Sequence, residues 1–302
     1  MRSRLAGIFR SRQSLSATEW WLATRAAGAI RRTEFNFLEE SSMLKNLNLD
    51  ALIPGHEQRT YQRRFVQNKS ENLFLGSFES MAAAEAAAPP NLPVGYDNAD
   101  AATTLYSPQV FAWDYPAIHW LADAFLNGMR SLFDLGGHVG IKYYAFKRVI
   151  GYPERLRWTV CDVPSVAKAG EALAQSRDVS AELAFCSDWR LASGNDVLFL
   201  SGSLQYLPST MKEILQALET PPRRIILNTT AVHADRTLYT LNSIGVGVCP
   251  YRIQHHEEVL NEIRGFGYRR RDMWRNDGKP IAIPFVEGGD AAYYFGCCFD
   301  RP

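Results

Sequence analysis

The stretch SLFDLGGHVGIKYYAFKRV, residues 131–149, constrains the fold more than any other part of the chain. Its first five residues are mostly apolar, as in a strand that is buried on both faces of a parallel sheet. Gly136 and Gly137 then interrupt the apolar run and allow a sharp turn, and Gly140 opens an amphipathic helix. A strand, a tight turn and a helix in this order present free backbone N–H groups and a positive helix end to a ligand at the turn.

The spacing of these glycines distinguishes two kinds of nucleotide-binding turn. A dinucleotide fingerprint reads G-x-G-x-x-G/A, but counting from Gly136 its later glycine positions hold His138 and Ile141. The pattern present is D-x-G-G-x-x-G, and it resembles motif I of the class I S-adenosylmethionine-dependent methyltransferases, D-x-G-x-G-x-G, with His138 at the middle glycine. The resemblance implies that S-adenosylmethionine is bound by Asp134, Gly136, Gly137, His138 and Gly140. The alternative is a tight turn without a ligand.

Composition places the chain among ordinary globular proteins and gives little sign of an unusual partner. Of its 302 residues 46% are hydrophobic and 22% are charged, and the net charge of +1 attracts neither nucleic acid nor membrane. Residues 1–32 hold seven arginines and one acid, which we interpret as a solvated N-terminus. No stretch of about 18 apolar residues is present, and five cysteines without a C-x-x-C pair suggest reduced thiols and no metal site. We therefore expect a cytoplasmic protein.

Strands and helices alternate along the second part of the chain. Apolar spacing predicts helices at residues 115–127, 163–175, 211–218 and 257–264, and strands at 157–161, 181–185, 196–200, 223–228, 268–274 and 293–299. The connection between the last two strands, residues 276–292, is rich in proline and glycine, so this pair should be antiparallel. We expect a Rossmann-like, doubly wound α/β fold, and the methyltransferase resemblance implies the sheet order 3-2-1-4-5-7-6.

The first part of the chain has a weaker pattern. Short helices are plausible at residues 19–31, 34–47 and 80–88, and an aromatic and basic stretch without a clear period lies between the last two. We assign residues 1–105 to a helical or irregular N-terminal extension and residues 106–302 to the methyltransferase-like domain. The extension is either a cap over the site or irregular packing against the core.

Candidate ligand-binding residues follow the predicted strands, because open parallel sheets bind ligands at the carboxyl ends of their strands. Asp162 and Val163 follow the second strand, where a carboxylate suits a ribose diol. Ser187, Asp188 and Trp189 follow the third strand and suit an adenine, and Ser201 follows the fourth, where a small side chain leaves room for a sulfonium. Three of these residues also have a structural interpretation: Asp162 as a helix cap, Asp188 as a turn residue and Trp189 as a packing residue.

Methyl transfer to a hydroxyl or amine needs a base unless the acceptor arrives ionised. His233 follows the strand RRIILN by five residues and is the candidate catalytic base, with an exposed loop histidine as the alternative. His138 is a second candidate, because it lies inside the glycine turn. Tyr206 and Tyr251 are placed either to line an acceptor pocket or to pack in the core.

Four further segments, CDVPSV, DVLFLSGSLQYLP, IGVGVCPYRI and GFGY, resemble a family of largely uncharacterised bacterial methyltransferases linked to surface polysaccharides. The resemblance covers roughly residues 70–299. It implies a methyltransferase acting on a small molecule or on a sugar hydroxyl or amine. Two other classes stay open: a nicotinamide-dependent oxidoreductase, which the failed fingerprint disfavours, and a binding or regulatory protein without turnover. We do not expect nucleic acid as a partner, since the arginines at 269–271 fit a solvated sheet edge.

Overall fold

The computed structural model describes residues 55–97 and 107–302. Helices in these ranges are α1 (His56–Val66), α2 (Met81–Ala86), α3 (Tyr115–Leu126), α4 (Ile141–Phe146), α5 (Pro164–Ser176), α6 (Met211–Gln216) and α7 (His256–Arg264). Strands are β1 (Leu73–Phe78), β2 (Ser131–Leu135), β3 (Arg157–Cys161), β4 (Leu183–Cys186), β5 (Val197–Ser201), β6 (Arg224–His233), β7 (Leu238–Ser243), β8 (Val248–His255), β9 (Arg269–Asn276) and β10 (Ala292–Asp300).

The main sheet has the order β4-β3-β2-β5-β6-β10-β9. Strands β2 to β6 are parallel to one another, and β10 runs antiparallel to both of its neighbours, β6 and β9. This is the predicted order 3-2-1-4-5-7-6 with its antiparallel final pair, so the Rossmann-like α/β prediction is confirmed. The order reverses between β2 and β5, because the chain winds outward from β2 through β3 and β4 and then returns to the other side.

Helices cover both faces of the main sheet, and the strands divide their side chains between the two. Leu132 and Phe199 face the layer formed by α3, α4 and part of α5, whereas Phe133 and Leu198 face α6 and α7. Successive strand residues point to opposite faces, so one apolar run fills two cores. All five residues of β2 are buried, which agrees with the apolar run from which it was predicted.

A second, antiparallel sheet of order β1-β7-β8 joins the first through β6. The prediction ended this strand at Asn228, but the chain continues as a strand to His233. A β-bulge interrupts the pairing of β6 with β10 at this point, and Thr229 in it has a φ of +52°. Beyond the bulge, Val232 and His233 pair in parallel with β8. One strand thus serves two sheets.

Strand β1 lies in the segment that the sequence analysis assigned to the N-terminal extension. The described residues from 57 onward belong to one compact unit. The division of the chain near residue 105 stays a prediction, and the helices predicted at 19–31 and 34–47 lie outside the described residues. Within the described ranges, no helix combines the length and apolar character needed to cross a bilayer.

Candidate active site

The glycine turn after β2 needs glycine at both of its first two positions. Gly136 has a φ of +76°, and its N–H donates to the carbonyl of Cys161 at 2.7 Å. A Cβ atom on Gly136 would lie 2.3 Å from the Cβ of Ser203, and one on Gly137 would lie 2.5 Å from the Cγ of Asp134. The turn therefore packs between Ser203, which follows β5, and Asp134 of β2, and neither glycine position has room for a side chain.

Asp134 supports this turn from beneath. Its side chain is fully buried, and Oδ2 accepts a hydrogen bond from Trp158 Nε1 at 3.1 Å. Oδ1 has no hydrogen-bond partner in the described part of the chain. Burial raises the pKa of this carboxyl from 3.8 to about 7, an effect that the Trp158 bond only partly offsets. The residue predicted to bind a ligand thus lies behind the turn and not on the cavity surface.

Asp162 ties the turn to the end of β3. Its Oδ2 accepts from the backbone N–H of His138 at 2.8 Å, and its Oδ1 accepts from that of Val163 at 2.8 Å. His138 has a φ of +58°, so its N–H bond to Asp162 helps to hold a conformation that is uncommon for residues other than glycine. Burial raises the pKa of Asp162 above its ordinary value, although both backbone bonds oppose this.

A cavity of about 560 Å³ lies over the carboxyl ends of β2, β3 and β5. Its floor is formed by the residues that follow these strands: Gly136 and His138, Asp162 and Val163, and Gly202 and Ser203. Its size falls within the range of small-molecule sites, and its position is the reversal in strand order where open α/β sheets bind ligands. Four sequence-predicted residues therefore meet at one place: Gly136, His138, Asp162 and Val163.

The opposite wall of the cavity comes from the second sheet and from residues 93–97. Gly95 N donates to Val248 O at 2.9 Å, and Val248 N donates to Pro93 O at 2.9 Å, so this segment runs along β8. Asp97 then accepts from the backbone N–H of Ser165 at 3.0 Å in the first turn of α5, and hydrogen bonding to the side chain and backbone of Ser165 lowers the pKa of Asp97. The segment spans the cavity and places Tyr96 in its wall.

No sequence pattern predicted the role of this segment, which falls within the predicted N-terminal extension. Its partners in β8 and α5 are distant along the chain, so no local pattern marks them. Asp97 is followed by other polar residues in the sequence, but no sequence pattern connects Asp97 with Ser165.

Other predicted ligand residues lie outside the cavity lining. Ser187, Asp188 and Trp189 follow β4, and Asp188 caps a short 3-10 helix by accepting from Arg190 N at 3.0 Å. Ser201 accepts from Asn228 Nδ2 at 3.2 Å, whereas its neighbours Gly202 and Ser203 line the cavity. Gly140 lies in the left-handed conformation at the start of α4, where it shapes the turn.

His233 does not lie at the cavity either. It is the last residue of β6 and is buried, whereas the alternative to catalysis was an exposed loop histidine. Its Nδ1 accepts from Asp235 N at 3.1 Å and its Nε2 lies 3.0 Å from Gly288 O. Since Nδ1 is an acceptor, Nε2 carries the proton and donates, so two backbone groups occupy both ring nitrogens. The structure gives His233 the setting of a structural residue.

Of the two tyrosines considered for the acceptor pocket, the structure brings only one to the cavity. Tyr206 follows Ser203 and lines the wall. Tyr251 is completely buried, and its hydroxyl lies 2.8 Å from that of Tyr294. The packing interpretation therefore applies to Tyr251.

No protein-family model and no curated protein matches this chain. Among solved structures, it is similar to the mitomycin 7-O-methyltransferase at 15% identity and a TM-score of 0.38, over 63% of this chain and 54% of that one. An S-adenosylmethionine-dependent methyltransferase from Clostridium acetobutylicum matches at 10% identity and a TM-score of 0.41, over 64% and 92%. The [4+2]-cyclase SpnF matches at 17% identity and a TM-score of 0.41, over 64% and 83%.

The chain thus spans about half the length of the mitomycin enzyme. A fold by itself does not fix a reaction, so the chemistry of the cavity has to follow from its own residues.

Proposed function

We propose that this protein is an S-adenosylmethionine-dependent methyltransferase that acts on a hydroxyl or amine of a small molecule or sugar. The observation that carries the proposal is the cavity at the reversal of strand order, which the glycine turn, Asp162 and Ser203 enclose. Sugars enter this list through the sequence resemblance to bacterial methyltransferases linked to surface polysaccharides. The proposal keeps the cytoplasmic location expected from the sequence.

The residues around the cavity fit S-adenosylmethionine. Each oxygen of Asp162 accepts one backbone N–H and retains a second lone pair, which suits the two hydroxyls of a ribose. Gly136 lines the cavity and leaves the backbone of the turn uncovered for a ligand. Behind the turn lies the carboxyl of Asp134, whose Oδ1 has no hydrogen-bond partner in the described residues. A cationic ligand nearby would favour the ionised form of this carboxyl. When bound, the cofactor supplies a methyl group on a positively charged sulfonium.

The remaining residues of the cavity wall help to bind and orient the ligand and to exclude water. Tyr96 and Tyr206 are in edge-to-face contact, with ring centroids 5.2 Å apart, and both line the cavity. Aromatic faces attract cations, so this pair suits the neighbourhood of a sulfonium. The segment 93–97, which runs along β8, forms part of the cavity wall.

A hydroxyl acceptor must also lose a proton. His233 lies elsewhere, and the imidazole that lines this cavity belongs to His138. An imidazole titrates near neutral pH and can accept such a proton, so we assign this task to His138 in place of His233. An acceptor that is already ionised needs no base.

Calorimetric titration with S-adenosylmethionine, S-adenosylhomocysteine and NADH tests the cofactor. We expect the first two to bind and NADH not to bind. Asp162→Asn removes the charge of the carboxylate and should weaken S-adenosylhomocysteine binding by about 1.5–3 kcal/mol, the range for hydrogen bonds to a charged group. Asp178→Asn is the matched control, because Asp178 is exposed and lies outside the cavity lining.

The other possible outcomes lead to different conclusions. Binding of NADH alone would make the protein an oxidoreductase and refute the proposal. Equal affinity of wild type and Asp162→Asn for S-adenosylhomocysteine would remove Asp162 from the site. Tight cofactor binding without methyl transfer to any acceptor in a broad screen would favour the regulatory alternative.

A further inference from the structure

We propose that Cys161 and Cys186 form a redox-active thiol pair that a peroxide oxidises to an intrachain disulfide, and that this disulfide weakens ligand binding in the adjacent cavity. Cys161 ends β3 and Cys186 ends β4, and the two residues are direct partners across these parallel strands. The effect on the ligand rests on the proposed function, whereas the disulfide itself does not depend on it.

The two thiols lie on the same face of the main sheet. Cys161 belongs to the apolar core on the side of α6 and α7, and Cys186 packs against that core. Neighbouring strands are about 4.8 Å apart, and a disulfide can join residues whose Cα atoms are about 4.4–6.8 Å apart. The pair therefore meets the requirement on Cα separation, and a small approach of the strand ends brings the sulfur atoms into bonding distance.

The other cysteines of the chain lack such a partner. Cys249 lies opposite Asn242 in the second sheet, and Cys297 and Cys298 follow one another in β10, where their side chains point to opposite faces. In the strands that the structure describes, none of these three lies opposite a cysteine on a neighbouring strand. An intrachain disulfide in the main sheet is thus restricted to the ends of β3 and β4.

The surroundings of the two thiols suit one reactive and one resolving cysteine. Cys186 is half-buried, whereas Cys161 is almost fully buried. Cys161 donates a hydrogen bond to Cys186, which lowers the pKa of the Cys186 thiol, and a backbone hydrogen bond with Asp188 acts in the same direction. The same bond between the thiols, together with burial, raises the pKa of Cys161. Cys186 is therefore the thiol that ionises and meets a small oxidant first.

The oxidation has two steps, and the peroxide is the oxidant. The thiolate of Cys186 attacks one peroxide oxygen, so an S–O bond forms, the O–O bond breaks and hydroxide leaves; the sulfur becomes a sulfenic acid while the peroxide is reduced. The sulfur of Cys161 then attacks that of Cys186. An S–S bond forms, the S–O bond breaks, and the departing hydroxyl leaves as water with the proton of Cys161.

Backbone atoms of both cysteines support the floor of the ligand cavity. Gly136 N–H donates to Cys161 O at 2.7 Å, and Asp162 N–H donates to Cys186 O at 3.1 Å. The Cβ atoms of a disulfide are about 3.8 Å apart, roughly 1 Å less than the strand spacing. The bond thus draws the strand ends together and displaces Asp162, whose carboxylate holds His138 N–H. We expect weaker binding at the carboxylate proposed to hold the ribose.

Peroxide treatment of the reduced full chain tests the thiol pair. Hydrogen peroxide is added, the remaining thiols are blocked with N-ethylmaleimide, and tryptic peptides are compared by mass spectrometry with and without dithiothreitol. We expect one linked peptide that joins Cys161 to Cys186 and that dithiothreitol cleaves. Cys186→Ser should abolish it. Cys161→Ala should also abolish it and leave a sulfenic acid on Cys186 that dimedone traps.

Cys297→Ala is the matched control, because Cys297 is a buried sheet cysteine that lies outside the pair. This variant should form the linked peptide as the wild type does. Cys186→Ser changes a half-buried position, so the test does not depend on the folding of Cys161→Ala alone. Absence of the linked peptide in peroxide-treated wild type, or its persistence in Cys186→Ser, overturns the thiol pair.

Calorimetric titration with S-adenosylhomocysteine measures the effect on the cavity. The oxidised wild type should bind about three- to tenfold more weakly than the reduced protein, as for one weakened hydrogen bond to a charged group, and dithiothreitol should restore the affinity. Peroxide should not change the affinity of Cys186→Ser. A linked peptide with unchanged affinity overturns the effect on the ligand. A linked peptide in a protein that binds S-adenosylhomocysteine in neither state supports the thiol pair and refutes the methyltransferase function instead.

Discussion

Replacing Asp134 with asparagine isolates the electrostatic cost of the carboxyl beneath the glycine turn. Burial raises the pKa of this group from 3.8 to about 7. A carboxyl with a raised pKa in the folded state stabilises the fold fully below the pKa of the unfolded state. That contribution is lost as the pH rises toward the pKa of the folded state.

The magnitude follows from the two pKa values. They differ by about 3 pH units, and each unit corresponds to about 1.4 kcal/mol, so the wild type should lose about 4 kcal/mol between pH 4 and pH 7 through this group. Asparagine cannot ionise and does not show this loss. The difference in unfolding free energy between wild type and Asp134→Asn should therefore fall by about 1.4 kcal/mol per pH unit across this window and then level off.

Urea unfolding at pH steps from 4 to 8 measures this difference directly. Asp178→Asn provides the reference, since Asp178 is exposed and has a φ of +53°, which asparagine also tolerates. Parallel stability curves for wild type and Asp134→Asn would mean that the buried carboxyl keeps its ordinary pKa. The glycine turn would then not rest on a poorly solvated acid.

Three further variants test the frame and the site. Gly137→Ala should lose both stability and S-adenosylhomocysteine binding in a calorimetric titration, because its Cβ would lie 2.5 Å from Asp134; normal binding would show that the turn can move. Arg224→Met should cost about 1.5–3 kcal/mol in urea unfolding, because the half-buried Asp123 loses its partner and Asp300 keeps only Arg271; a neutral change would show that water replaces the guanidinium. His233→Ala should lower stability by about 1–3 kcal/mol through two lost backbone partners, while turnover and cofactor affinity stay unchanged; slower turnover in a folded variant would restore a catalytic role.

Much of the main sheet and of its connections could be predicted from local sequence patterns. Strand β3 was predicted at its observed bounds, and the glycine turn after β2 was placed correctly, because a short apolar run followed by glycines has few alternatives in a parallel sheet. A capping box of Thr210 and Glu213 begins α6 at the predicted start of this helix, residue 211. The antiparallel final pair followed from a connection in which no helix could form.

The candidate site was only partly predictable. Residues that follow strands were correct candidates as a group, but the sequence could not show which of them face the cavity. Asp162 and His138 do, whereas Asp188 caps a 3-10 helix and His233 is buried at the far end of β6. Side-chain direction after a strand depends on the turn that follows, and a turn is shaped by contacts with other segments.

The sequence by itself therefore determined the parallel core and its turn, because period and glycine position act over short stretches of chain, whereas the strand order was implied by the resemblance to the methyltransferases. The tertiary structure decided everything that depends on distant partners. The bulge at Thr229 carries β6 into a second sheet, and that sheet brings Tyr206 and Asn242 together. Asp97 meets Ser165 in the same way. Contacts of this kind leave no local periodicity, so only the folded chain shows the wall that closes the cavity.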